Sequence, residues 1–88
     1  MAAIDGETLI RNVGHRIGEL RRARGITQEA FAARANIGFR YVQKVERGVV
    51  NLTLVTIAQW AKWLGVDPQD LLRPPKGKAP GRGRPTRR

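Results

Sequence analysis

Arg40, Gln43, Lys44 and Arg47 recur at three- and four-residue spacing, the interval that gathers side chains on one face of a helix. Phe39 falls on the same side. Three of the five are cationic and none is acidic. In a duplex groove, arginine takes the O6 and N7 of guanine with paired hydrogen bonds, glutamine pairs with adenine, and phenylalanine packs on a thymine methyl. Arg40 and Lys44 are the leading candidates for base contact, followed by Gln43 and Phe39. Arg47, at the end of the segment, and Asn51, beyond it, occupy the places where phosphate contacts are usual. A generic helix carries such charges merely as a solvated face, so the elements around it must decide.

Those elements read as five helices joined by short turns, an all-α chain with no strand-like alternation. The first runs from about Thr8, a candidate cap, to Ala23. Leu9, Val13, Ile17 and Leu20 form its apolar stripe, and Arg11, Arg16, Glu19 and Arg22 take other faces. The second is capped by Thr27 and runs to Ala35, with Phe31, Ala32 and Ala35 inward. Asn36 ends it, since asparagine best tolerates the left-handed backbone after glycine. The third runs from Phe39 to Arg47, with Gly38 at the cap position and Val42 and Val45 inward. The fourth starts at Thr53 and ends at Gly65, its stripe Leu54, Ile57, Trp60, Ala61 and Leu64. Asp67 caps a one-turn fifth helix with Pro68 in its first position, and Pro74-Pro75 stops it.

The second and third helices are the informative unit. So short a link forces a steep angle between them. Ala32 is small where the third helix crosses, and the polar side of that helix turns outward in a shape that fits a major groove. From Arg21 to Leu72 the chain resembles the Cro/phage-repressor (XRE-like) helix-turn-helix family. The matching stretches are Leu20-Arg21, Gly25-Ile26-Thr27-Gln28-Glu29-Ala30-Phe31-Ala32, Tyr41-Val42, Val45-Glu46-Arg47-Gly48, and Ile57 with Trp60-Ala61 and Leu64-Gly65-Val66. With the first helix the likeness spans residues 13–72. The stretch from Glu46 to Leu54 is also similar to controller proteins of restriction–modification operons.

The resemblance implies a five-helix repressor-like DNA-binding domain whose third helix, 39–47, enters the major groove of double-stranded DNA. It implies that Gln28, beside Thr27, contacts a phosphate and braces the recognition helix; the alternative is an ordinary solvated glutamine. It further implies an ion pair between Arg21 and Glu46, partly buried, orienting the third helix. Two departures bear on the target. The family usually has Ser or Thr where this chain has Gly38, and a polar residue where it has Phe39.

The composition bounds the rest. Of 88 residues carrying a net charge of +10, residues 74–88 hold six basic residues and no acid, which leaves +4 for the remainder. Rich in Pro and Gly, that segment cannot bury enough apolar surface to order itself. The expected division is a domain over residues 5–73 and a disordered basic tail over 74–88. Within the tail, Arg82-Gly83-Arg84-Pro85 resembles an AT-hook core suited to a narrow A·T minor groove. Plain phosphate attraction explains it equally well. There is no cysteine, hence no disulfide and no thiolate metal site. His15 is the sole histidine, read as a surface residue, and no nucleophile or ligand cluster accompanies it. No enzyme, cofactor or metal is expected. No apolar run reaches membrane-spanning length, and the acidic start does not read as a signal peptide. The expected place is the cytoplasm, at the nucleoid.

Trp63 and Leu72 are candidates for a homodimer interface, the alternative for Trp63 being a seat on the domain's own surface. A dimer would match a palindromic site. No small-molecule effector is implied. A different class of function remains open: a protein-interaction module of coactivator or antitoxin type, for which exposed Trp63 and Phe39 would serve. RNA is a weaker alternative, since no aromatic stacking platform is evident.

Overall fold

The computed structural model describes residues 4–77. Among them the chain forms five helices, α1 (Gly6–Ala23), α2 (Gln28–Ala35), α3 (Phe39–Arg47), α4 (Leu54–Leu64) and α5 (Pro68–Leu72), and no strand. Local chemistry sets their ends. Thr27, Thr53 and Asp67 each accept a first-turn backbone N–H, from Ala30, Thr56 and Gln69. Asn36 at φ 58° closes α2, and Gly48 at φ 79° closes α3, both in the left-handed region. Helix α1 starts earlier than the sequence suggested. Asp5, not Thr8, is the cap, and its Oδ1 accepts the Thr8 backbone N–H at 2.8 Å. A carboxylate there also complements the positive end of the helix. The hydrogen bond from the Thr8 backbone holds the Asp5 carboxyl below its ordinary pKa.

Helix α1 is the central post, packing against α3, α5 and α4. Ile17, Val42, Trp60 and Leu71 lose all exposure in the core around it. Phe31 stacks on Trp60 at 5.4 Å between ring centroids, and Trp63 meets Trp60 edge-on at 5.3 Å. Among the described residues one buried donor in this aromatic centre, the Trp60 indole N–H, has no hydrogen-bond partner, at a cost of about 1–3 kcal/mol.

Three expectations are corrected. Leu9 and Leu54, placed on core stripes by their spacing, stay exposed and line an open apolar groove with Ile10, Val50 and Leu72. Both stand near the starts of their helices, at that open groove rather than in the closed core. Arg16, assigned to an outer face, is buried. Its Nε donates to the Asp70 carbonyl at 2.9 Å, because the last turn of α5 leaves that carbonyl without a helical partner. His15 is half-buried rather than on the open surface.

Candidate nucleic-acid interface

The seating of α3 begins with two glycines. A Cβ on Gly14 would overlap the Val45 carbonyl oxygen and lie 2.8 Å from the Gly48 Cα, so only a residue without one lets α1 and α3 approach backbone to backbone. Gly48 answers from the other side, where a Cβ would come within 2.6 Å of the Arg11 Cα. One turn along α1, Gly18 leaves room for the Glu46 carboxylate, whose Oε1 would stand 3.1 Å from a Cβ.

That carboxylate is the hub of the site. Arg21 grips it with two bonds, Nε to Oε2 at 2.6 Å and Nη2 to Oε1 at 2.9 Å, and its third nitrogen donates to the Ile26 carbonyl at 2.6 Å. Gln28, at the start of α2, donates through Nε2 to Glu46 Oε1 at 3.0 Å. One carboxylate thus ties α1, α2 and α3 together. The pair is buried, with side-chain exposures of 9% for Arg21 and 8% for Glu46. The two-pronged geometry suits a guanidinium and could not be reproduced by lysine.

With Glu46 turned inward, the outer face of α3 carries only cations and neutral groups. At 100° per residue, Phe39, Arg40, Gln43, Lys44 and Arg47 span an arc of roughly 140°. They line one open concavity. Arg40, Lys44, Arg47 and Phe39 are exposed and Gln43 is half-buried. Gly38 offers no side chain to cap the helix, so its first N–H groups also face this surface. Asn51 is exposed in the segment after α3, and Thr27 is exposed while its hydroxyl serves as the α2 cap.

The remaining candidates lie elsewhere. Trp63 is half-buried, its ring against Phe31 and Trp60, whereas Leu72 is 40% exposed. Arg82, Gly83 and Arg84 fall outside the described residues. Just before them, Lys76 and Gly77 donate their backbone N–H groups to Glu19, at 3.0 and 2.7 Å. Burial pushes the Glu19 carboxyl up, but these bonds and Arg16 outweigh it, and its pKa is lowered on balance. Sequence reasoning missed Gly14, Gly18 and Glu19. The four-residue spacing of the two glycines, one turn from Arg21, was the available signal; nothing in the sequence marked Glu19.

A helical domain that sets one cationic helix across another by a three-residue turn, Asn36 to Gly38, has the architecture of a DNA-reading helix pair. The chain belongs to the helix-turn-helix family, whose model matches residues 17–71. It is 39% identical over 62 residues to the uncharacterized HTH-type transcriptional regulator y4dJ of Sinorhizobium fredii, a match covering 70% of this chain and 80% of that protein. The crystal structure of the restriction-modification controller protein C.AhdI from Aeromonas hydrophila shares 39% identity over 70% of this chain and 94% of its own, with a TM-score of 0.63. The hypothetical transcription factor NHTF from Neisseria superposes with a TM-score of 0.70 at 31% identity, over 86% of this chain and 88% of that one. The chain is a DNA-binding transcription regulator, and its relatives are regulators rather than enzymes. Among the described residues, no helix is long and apolar enough to cross a membrane.

Proposed function

We propose that α3 enters the major groove of promoter DNA, with Arg40 and Lys44 on base edges and Gln43 beside them. Thr27, Gln28, Arg47 and Asn51 hold the flanking phosphates. One observation carries this reading: the only acid in α3, Glu46, is turned inward and paired, so the outward face keeps three cations that no acid among the described residues pairs with. The basic tail adds further contact, through phosphates or through Arg82-Gly83-Arg84 in a minor groove. Such a protein would act in the cytoplasm, and a controller-like regulator without an effector would respond to its own concentration.

Two copies pair, on this reading, across the apolar groove beside Leu72. Leu54 at 77% exposure, with Leu9 and Leu72, lines a surface that favours a partner over water. Trp63 contributes little, because its ring is already engaged with Phe31 and Trp60. The same face could serve the protein-interaction alternative, but the charge of α3 favours DNA.

The test selects duplexes from a random pool and compares selected with random DNA over a salt series. Arg40→Ala should lower affinity for the selected duplex by about 1–3 kcal/mol and relax the choice of one base. Arg47→Ala should weaken all duplexes alike and reduce the salt slope by about 1. Equal binding of the wild type to every duplex would refute base reading by α3.

A further inference from the structure

Among the described residues, Phe39 takes no part in the core. It opens α3 at 39% exposure, and it stands outside the core cluster and outside the ring pairs formed by Phe31, Tyr41, Trp60 and Trp63. A solvent-facing phenyl ring here sits on the face turned toward the duplex, among three cations. Its edge and faces can neither donate nor accept the hydrogen bonds by which base edges are read. The apolar group that a base pair displays in the major groove is the C5-methyl of a pyrimidine. Its neighbour Arg40 is exposed and carries the group suited to guanine O6 and N7. Both side chains line the same concavity, and neighbouring residues advance only about 1.5 Å along a helix axis, less than the ~3.4 Å rise of one base pair, so in a groove the two address the same or adjoining base pairs.

We propose that Phe39 and Arg40 together read a C5-methylated pyrimidine within one base pair of a guanine. This rests on α3 being the groove-entering helix and specifies what its first turn recognises. The methyl can come from thymine or from 5-methylcytosine; the ring meets the same group in either case. Phe39 thereby sets specificity by contact with one methyl, while Arg40 fixes the register by its paired hydrogen bonds.

The experiment uses the full chain and a duplex chosen by selection from a random pool. Each thymine in turn is replaced by deoxyuridine, which removes only the methyl. At one position per half-site, affinity should fall about fourfold, the value of one buried methyl group. Cytosine at that position, opposite guanine, should bind more weakly than 5-methylcytosine by a similar factor. If only thymine is preferred over its unmethylated form, thymine is the source; if the cytosine pair also separates, both are read. Phe39→Ala should abolish the methyl effect, and Phe39→Leu should retain part of it; both should melt near the wild type, since the ring lies outside the core. The inference is overturned if a wild type that discriminates sequences ignores every methyl, or if the methyl effect survives in Phe39→Ala. Failure to bind any duplex would overturn it together with the groove reading, so the two failures are distinguishable.

Discussion

Replacing Arg21 by methionine keeps the aliphatic stem and removes every bond that the guanidinium makes. Glu46, at 8% side-chain exposure in the wild type, then keeps Gln28 as its remaining bonded donor, and the Ile26 carbonyl loses the Arg21 bond. Breaking one side of a buried pair costs about 3–5 kcal/mol. A domain of some 70 residues holds about 4–10 kcal/mol in total, so the variant should lose much of its stability. At about 4–8 °C per kcal/mol for a domain of this size, its Tm should fall by roughly 12 °C or more. The decisive comparison is the double variant Arg21→Met/Glu46→Leu. Removing both charges leaves no ion stranded, and buried pairs replaced by apolar groups often cost little. Urea denaturation of the wild type, both single variants and the double variant gives the coupling directly. The double variant should recover most of the loss in stability but remain weaker for DNA, because α3 is no longer tied to α1 and Gln28 is left without its acceptor. A fall of less than about 3 °C for Arg21→Met would refute the argument. So would a double variant whose losses merely add.

Gly14→Ala should destabilise by about 3 kcal/mol or force α3 away from α1, since the added methyl meets backbone that cannot give way; thermal melting and DNA affinity should fall together. Glu19 has a folded-state pKa below its ordinary value, so its contribution is present above about pH 4.5 and disappears as pH drops through the lowered value. Melting curves of the wild type and Glu19→Gln should therefore differ at neutral pH and converge in acid; a constant difference would contradict the hydrogen bonds at Lys76 and Gly77. Removing residues 78–88 takes away five basic residues and no acid; affinity should drop and the salt slope should flatten by up to ~0.9 for each phosphate that the tail no longer neutralises. An unchanged slope would exclude the tail from the complex.

The helix pattern was legible because its punctuation is local. Thr27, Thr53, Asp67, Asn36 and Gly48 set helix ends through their own side-chain oxygens or backbone tolerance, and the structure finds these residues at those ends. The outward side of α3 was legible for a similar reason, since Val42 and Val45 fix its inward side. What depends on tertiary geometry was not. Arg16 is a charged residue that periodicity assigns to solvent, yet a carbonyl from a helix some fifty residues later draws it inward. Leu54 has the right spacing for a core stripe but lies at the open groove rather than in the closed core. The spacing of Gly14 and Gly18 hints at a close approach but does not say to what, because the role of Gly14 exists only once Val45 and Gly48 arrive.

The charge of the protein is better understood as a placement than as a sum. Asp5 and Asp67 cap helices, and Glu7 and Glu29 sit in first turns, where the helix dipole favours them. Asp70 meets Arg73, Glu19 holds the backbone at Lys76 and Gly77, and Glu46 is gripped by Arg21. All seven acids therefore have positions that serve the fold, and none stands on the outer face of α3. A positive surface arises there because the negative groups are occupied elsewhere. It follows that α1 performs two tasks at once. Gly14, Gly18 and Arg21 hold α3, while Arg16 and Glu19 hold α5 and the start of the basic segment. A change on either set of α1 residues should reach DNA affinity without touching DNA: the first by tilting α3, the second by moving the root of the tail.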